Sequence, residues 1–564
     1  MTPATTVGED RVRARLIPAL LVALVAFAAA WIALLPGLAF WDTGELQAVA
    51  PLMGTAHPTG FPTYVLLGWL ASVVLQPFGE PALRMNLFSA ICVAVAAGVT
   101  VDLVRKLTGW TILGVAAGIA LALTPVTWAI ATHAEAHSLH LALIAILLWL
   151  LVSWDERVAA SQDADRDRDD TRDRGDRRDR GDRYLVAAAV IFGLAVGNHS
   201  LTLLLAIPVG LYVLAVDPGI WRRGRLVLGC GAALALTITL VYLELPLRAG
   251  PFRAGLVYGT PNTWEGFRYI VLAEQFQGSL SDPFGNLPAK VGDLVGRAVT
   301  QFGILAPLIP IGFVVTAVRR PRYALLTGSA IVITCFFNAS YINADISRYY
   351  LVPVLIAWTW LAILAAVAIE VLAAMAGEQP LADDDGAVVT DQIAADAEAT
   401  DPAWASPGPR ATMLAVLFAI ALLVPTLAAA PDRYEAVDAS GTRTAQTWVD
   451  RALAAMEPDA AVISWWSYST PLWYAQRVQG ERPDITIIDD RTRLDENVCG
   501  LPGMMPANGC GLTDTIDANL GKRPVYVIRL DQREVKQLAE LYELEYIDSA
   551  DATGLTRVIA RKGA

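Results

Sequence analysis

Phe61-Pro62-Thr63-Tyr64-Val65-Leu66-Leu67-Gly68-Trp69-Leu70-Ala71-Ser72-Val73-Val74-Leu75-Gln76-Pro77-Phe78 is the stretch on which the architecture turns. It is apolar enough to cross a bilayer, for which about 20 mainly apolar residues suffice. Counted as a span, it inverts every later segment. The clusters Arg222/Arg223/Arg225 and Arg319/Arg320/Arg322 then fall opposite Arg11, Arg13 and Arg15, although Lys and Arg gather at cytoplasmic ends. Read instead as a helix lying in the outer interface or packed on a bundle, it leaves those clusters, Arg105-Lys106 and Arg410 all on one side. Pro62 at its start and Pro77-Phe78-Gly79-Glu80-Pro81 at its end give such a helix firm limits.

Outward from this segment, apolar runs fall at 16–35, 84–104, 110–131, 138–154, 184–198, 200–216, 226–244, 298–318, 323–340, 350–375 and 411–430. They predict a mostly α, polytopic membrane bundle of about eleven spans, with a cytoplasmic N-terminus. The first run is long enough to span, so it is expected to stay rather than be cleaved as a signal peptide. Composition agrees: of 564 residues, 55% are hydrophobic and 17% charged, and the mean hydropathy is +0.46. Roughly 25% charged is usual for soluble domains, and there are too few charges here to clothe a soluble enzyme of this length. The net charge of −12 comes largely from loops and tail and argues against a nucleic-acid partner.

An odd number of spans places residues 431–564 outside the cytoplasm, as a small α/β domain after a membrane domain over 1–430. Strands are expected at Ala461–Ser464, Ile485–Ile488 and Val525–Arg529, and helices at Pro471–Val478 and Gln532–Leu541. Cys499 and Cys510 lie in this tail, where an oxidising compartment would permit a disulfide; the other three cysteines sit in apolar runs. Residues 155–183, rich in Asp and Arg, and 376–410, acidic and rich in Ala and Pro, read as low-complexity cytoplasmic loops, the first of them disordered or helical.

Ionisable residues are costly inside a bilayer and usually face a cavity or a partner. Here they collect at one face, in Trp41-Asp42-Thr43-Gly44-Glu45, in His133-Ala134-Glu135-Ala136-His137, in Asn198-His199-Ser200 and in Asn343 to Tyr349. All five histidines belong to this layer or its edge. Asp42 and Glu45, three apart, share a helix face; the pair suits deprotonation of a hydroxyl or a divalent cation, and Asp42 alone suits a helix cap. His133 and His137 share a face at i, i+4, but Glu135 points away, which is not a zinc-protease arrangement. Asn198-His199 suits a helix end. Arg348 suits either an ion pair with Asp345 or a clamp on an anion.

The first-loop blocks Phe40-Trp41-Asp42-Thr43-Gly44-Glu45, His57-Pro58-Thr59-Gly60-Phe61-Pro62-Thr63-Tyr64 and Arg84-Met85-Asn86-Leu87-Phe88-Ser89-Ala90 resemble a bacterial membrane family related to the protein O-mannosyltransferases. Ala134-Glu135 and Gly197-Asn198-His199 match further blocks of it, so the resemblance covers roughly 36–205 by motif and the rest by layout. Thr43, Thr59, Phe61 and His137 depart from the usual pattern. The resemblance implies a GT-C fold whose first outer loop, 36–83, carries a catalytic acid and a horizontal helix. It also implies transfer of a sugar, usually with inversion, from a polyprenyl-phosphate carrier in the membrane to an extracytoplasmic acceptor: a protein hydroxyl, a glycan or a lipid. On that basis Asp42 and Glu45 are the catalytic pair, Asp42 as general base. His57, Glu135, His137, Asn198, His199, Arg248, Asp345, Arg348 and Tyr349 bind substrate, with Arg348 or Arg248 on the carrier phosphate. No residue is assigned to a metal, and a Mg2+ or Mn2+ requirement stays open. Trp465, Trp466 and Tyr468 suit either stacking on an acceptor or a buried core. The rival readings are a multi-pass transporter of a polar or lipid-linked substrate, which predicts midplane charges and repeated halves, and a membrane-anchored binding module.

Overall fold

The computed structural model describes residues 5–167, 171–378, 408–490, 511–547 and 553–563. Cys499, Cys510 and most of the 376–410 loop lie outside these residues, as does 168–170. The Asp/Arg-rich stretch is helical where it is described, because the helices Ala136–Asp167 and Thr171–Asn198 run into it from either side.

Each apolar run of the sequence falls mainly on helix. Among the described residues five helices are long and apolar enough to cross a membrane: Pro81–Thr108, Ala136–Ser161, Gly224–Ala249, Ile346–Met375 and Pro409–Ala428. Two bent pairs raise the number to at most seven. Thr111–Ala122 meets Pro125–Ala131 at 67°, and Leu287–Leu305 meets Leu308–Arg319 at 83°. Both breaks have a local cause, since Pro125 and Pro307 stand at the bends and Gly303 takes a φ of +56°. Shorter apolar helices, among them Leu16–Ile32 and Pro62–Val74, complete the bundle. Pro62 opens the latter, as expected, and Leu70, Val73 and Val74 stay exposed along it.

The long helices carry different charges at their two ends. Pro81–Thr108 holds Asn86 near its start and Arg105 near its end, about 28 Å apart at 1.5 Å per residue. At the far end the basic clusters find acids: Lys106 lies 2.6 Å from Glu156, Arg322 2.7 Å from Asp155, and Arg319 2.7 Å from Glu370. His137, on the Glu156 helix, and Arg348, on the Glu370 helix, sit at the opposite end.

In the tail, β1 (Ala461–Ser464), β2 (Thr486–Asp489), β3 (Val525–Ile528), β4 (Tyr542–Tyr546) and β5 (Leu555–Arg561) form one sheet in the order β2-β1-β3-β5-β4. β1 pairs in parallel with β2 and β3, whereas β5 runs antiparallel to β3 and β4. Ile463, Ile488, Val525 and Val527 pack with Ile516 and Tyr542 into its core. The chain leaving β1 enters the helix Trp466–Tyr474, which packs on the first-loop helix Trp41–Leu52. Gly44 permits that approach. A Cβ there would meet Ala39 O at 2.4 Å and Thr470 Oγ1 at 2.9 Å. Tyr474 completes the seam, its hydroxyl accepting from the Ala82 N–H at 2.9 Å.

Candidate active site

Asp42 lies in the first turn of Trp41–Leu52, where the N-cap is Phe40 and no side chain caps the helix. The capping role weighed from sequence is therefore not the one Asp42 plays. Its Oδ1 accepts from Trp466 Nε1 at 2.9 Å, and its Oδ2 from Arg348 Nη2 at 3.1 Å. Arg348 Nη1 donates to Glu135 Oε2 at 2.7 Å, so one guanidinium fork bridges two carboxylates that are far apart in sequence. The Asp345 contact, 3.7 Å from an exposed carboxylate, is secondary. Glu135 Oε1 is bonded to His137 Nδ1 at 2.7 Å and accepts the His137 N–H at 3.1 Å.

The motif residues behind these groups explain their placement. Buried Asn86 donates to the Leu35 and Gly37 carbonyls and accepts from Gln47 Nε2 and the Ala134 N–H, tying the first loop to the 133–137 turn. Ser89 Oγ accepts the Glu135 N–H at 2.9 Å. Arg84 closes the end of the 61–78 segment by donating to the Gly79 and Ser72 carbonyls.

Asp42, Glu135 and Arg348 line a cavity of about 540 Å³. His57, His137, His199 and Tyr349 line it too, interleaved with the apolar Phe61, Leu201, Leu272, Phe276, Leu280 and Phe337. Trp41, Phe61 and Ala273, all lining residues, have φ between 46° and 62°, in the left-handed region that non-glycine residues rarely take. Such strain tends to persist at functional sites.

Charge in the cavity is internally balanced. Burial works against ionisation of Asp42, but His57 and Arg348 outweigh it and hold the carboxyl below its usual range. Glu135 is likewise held well below, against burial, by Arg348 and then by His137. Burial raises Glu45 and would lower His57. The facing carboxylates of Glu45 and Asp42 reverse the latter and push His57 up to about 9, so that Glu45 and His57 hold a proton between them. His199 is lowered well below its usual value by burial and then by His137. It is a neutral ring, whose Nδ1 accepts the Leu201 N–H at 3.2 Å.

The placement of several expected site residues needs correction. Asp42 and Glu45 share a helix, yet Glu45 turns away to His57, so the two carboxylates do not converge on a common ligand. Both Asp42 oxygens accept N–H groups, and among the described residues no group of three His, Cys, Asp or Glu is placed to hold a metal ion. Arg248 is not at the cavity. Its guanidinium donates to the Met53 and Leu52 carbonyls at 2.7 and 3.1 Å, capping the end of the first-loop helix. Asn198 and Asp345 stand outside the lining: buried Asn198 Nδ2 donates to Ala136 O at 2.9 Å, while Asp345 is two-thirds exposed. Nothing in the sequence pattern marks Gln47, which bonds Asn86 and the Gly37 carbonyl. Trp466, read as a stacking platform or core residue, is instead a direct partner of Asp42.

Comparison with known proteins agrees with the first-loop motifs. Residues 42–219 match the family described as the protein O-mannosyl-transferase TMEM260 N-terminal domain. Protein O-mannosyl-transferase TMEM260 of Mus musculus is 27% identical over 328 residues, covering 54% of this chain and 42% of the mouse protein. The match thus spans less than half of that relative's length. Among solved structures, ArnT from Cupriavidus metallidurans bound to undecaprenyl phosphate superposes with a TM-score of 0.57 at 17% identity, covering 95% of this chain and 97% of ArnT. Its apo state gives the same values. The chain therefore shares the fold of ArnT over nearly its whole length, in line with the GT-C fold that the resemblance implies.

Proposed function

We propose that this chain is a membrane glycosyltransferase that moves a sugar from a polyprenyl-phosphate carrier to an acceptor hydroxyl outside the cytoplasm, with inversion at the anomeric carbon. The observation that carries the reading is the Asp42–Arg348–Glu135 bridge in a cavity that Phe61, Leu272, Phe276, Leu280 and Phe337 also line. Such a cavity suits a ligand with a charged head and a hydrocarbon tail. The undecaprenyl phosphate bound to a protein of the same fold supports the carrier, and the name of the mouse relative makes mannose and a protein hydroxyl the first substrates to try.

In this mechanism the carrier phosphate competes for Arg348. As one Nη leaves Asp42 for a phosphate oxygen, Asp42 loses a neighbour that depresses its basicity and becomes the proton acceptor. The acceptor oxygen bonds to the anomeric carbon, its proton passes to Asp42, and the bond from that carbon to the phosphate oxygen breaks with the electron pair staying on phosphate. Arg348 then faces the added negative charge, while Glu135 and His137 keep the fork in place. The mechanism routes no step through a metal. Purified full-length protein supplied with polyprenyl-phosphate mannose and acceptor peptides should release polyprenyl phosphate and glycosylate the peptide; carrier left intact with every sugar tried would sink the proposal.

Sidedness belongs to the same proposal, with the N-terminus cytoplasmic and the cavity end and tail outside. Single cysteines introduced beside Asp42 should react with an impermeant reagent in intact cells, and those introduced between Arg166 and Arg183 should not. The reverse pattern would overturn it.

A further inference from the structure

We propose that Glu45 and His57 form a carboxylate–imidazole dyad in which Glu45 positions the ring and His57 presents Nε2–H to the phosphate of the carrier. This deepens the transfer reading above and rests on it. Glu45 is 2% exposed and does not line the cavity. Both of its oxygens are spent on His57, one accepting the backbone N–H at 2.8 Å and the other bonded to Nδ1. With Nδ1 so engaged, Nε2 is the ring nitrogen left to the cavity that His57 lines. The ring is held edge-on by Phe61 at 5.1 Å, Trp466 at 5.5 Å and Phe276 at 6.3 Å. The backbone is pinned as well. The Gly60 N–H donates to His57 O at 2.6 Å in a turn where Gly60 has a φ of +82°, and a Cβ there would strike Ile270.

A second observation gives the dyad its task. Each Nη group of Arg348, the other cation on the cavity, already holds a carboxylate, so the phosphate gains from it only the one that leaves Asp42. The charged groups facing His57 are Glu45 and Asp42 on the first-loop helix and Arg348 bonded to Asp42, with Tyr258 against Trp466. The two carboxylates prevail and keep the ring an imidazolium up to about pH 9. During transfer the phosphate passes from a diester monoanion to a monoester dianion as the anomeric carbon leaves its oxygen. The acceptor proton goes to Asp42, and Nε2–H answers the added charge by hydrogen bonding, without giving up its proton.

The test is the pH dependence of undecaprenyl phosphate binding to the full chain in nanodiscs, from about pH 6 to about pH 10. Affinity of the unmodified protein should fall as pH rises through about 9. In Glu45→Gln the fall should move down toward the ordinary histidine value of about 6.5, and Glu45→Asp should move it part of the way back. His57→Gln should abolish that limb and weaken neutral-pH binding by roughly tenfold to a hundredfold. The ligand's own second ionisation, near about 6, is common to all four proteins. A limb that survives in His57→Gln, or that stays in place in Glu45→Gln, overturns the dyad. A merely structural pair would lower the melting temperature of these variants and leave the limb unmoved, which also overturns it. Should one variant fail to fold, the unmodified protein and the other still decide. Sugar transfer by the unmodified protein separates the two readings: transfer with a limb independent of His57 removes the dyad alone, and no transfer removes the glycosyltransferase reading beneath it.

Discussion

At one end of the bundle Lys106 meets Glu156, Arg322 meets Asp155 and Arg319 meets Glu370, each cation with its own acid and most of them partly open to water. At the other end Arg348 divides one fork between Asp42 and Glu135, Asp42 also takes Trp466, and Glu45 takes His57. The first arrangement fixes helix ends against one another. Losing one partner there frees a side chain that water can still reach, so each exposed pair contributes little. In the second, Glu45 and Glu135 are buried and the partners are shared, so a change in one member redistributes the others' partners. A site that must exchange a protein contact for a substrate contact needs this second kind of arrangement, and a saturated one-to-one pair does not supply it.

The comparison is tested most severely at Asp42. Asp42→Asn keeps the shape and removes proton acceptance, so transfer should fall by about 10²–10⁴-fold, measured on protein whose melting temperature is checked on the same preparation. Asp155→Asn, at the other end, should leave transfer within roughly twofold, because an exposed pair carries only about 0–1 kcal/mol. Near-normal transfer by Asp42→Asn would remove the distinction between the two ends and Asp42 from the mechanism. Arg348→Lys comes next. The charge remains but the fork is lost, and an ammonium cannot grip two carboxylates in one plane. Loss of one charged hydrogen bond, about 1.5–3 kcal/mol, should weaken polyprenyl phosphate binding roughly tenfold to a hundredfold. Unchanged affinity would return Arg348 to a structural pairing.

How far the sequence carried the reading differs between the same regions. Helices were legible because apolar periodicity is local, and the polar clusters gathered at one face grouped Asp42, Glu135 and Arg348. Partner choice was not legible. Asp42 and Glu45 share a face by spacing, yet one turned to Arg348 and the other to His57, because tertiary neighbours rather than spacing decide where a carboxylate goes. Arg248 offered a cation for the carrier phosphate, but its guanidinium is used up by helix-end carbonyls. Asn86 and Ser89 were quoted as motif without a role, and only the fold shows them joining the first loop to the 133–137 turn. Missed in the tail were β4, whose Tyr-Glu-Leu-Glu-Tyr alternation directly follows a helix, and β5. The apolar runs 110–131 and 298–318 are broken where Pro125 and Pro307 stand, a bend that hydropathy alone does not register.

Trp466→Phe makes a finer cut, because it removes one N–H and leaves the ring. Trp466 is among the groups that hold Asp42 below its usual range, so its loss should raise that carboxyl. Asp42 must be ionised to accept a proton. As pH falls, transfer should therefore begin to fail at a higher pH in the variant than in the unmodified protein. At neutral pH the loss should be modest, roughly threefold to tenfold for one charge-assisted bond partly replaced by water. An acid limb that does not move would show that Trp466 merely packs against the first loop.

The smallest effect is expected at Lys106, and it bears on what the far end is for. Lys106 lies 2.6 Å from Glu156, and the two side chains are 14% and 33% exposed, more enclosed than the Arg319 and Arg322 pairs. Lys106→Met keeps most of the apolar stem and removes the charge, leaving Glu156 with access to water. The cost should be about 1 kcal/mol, read as a small drop in melting temperature that shrinks as salt screens the pair. Transfer, carrier affinity and the pH limbs at the cavity should all stay where they are, because His137 stands about 28 Å up the same helix from Glu156. A shift in carrier affinity or in the Asp42 acid limb would mean that the Ala136–Asp167 helix transmits charge from one end to the other. The two ends would then be one coupled system, and the contrast between a structural and a functional end would fail at the pair chosen to represent it.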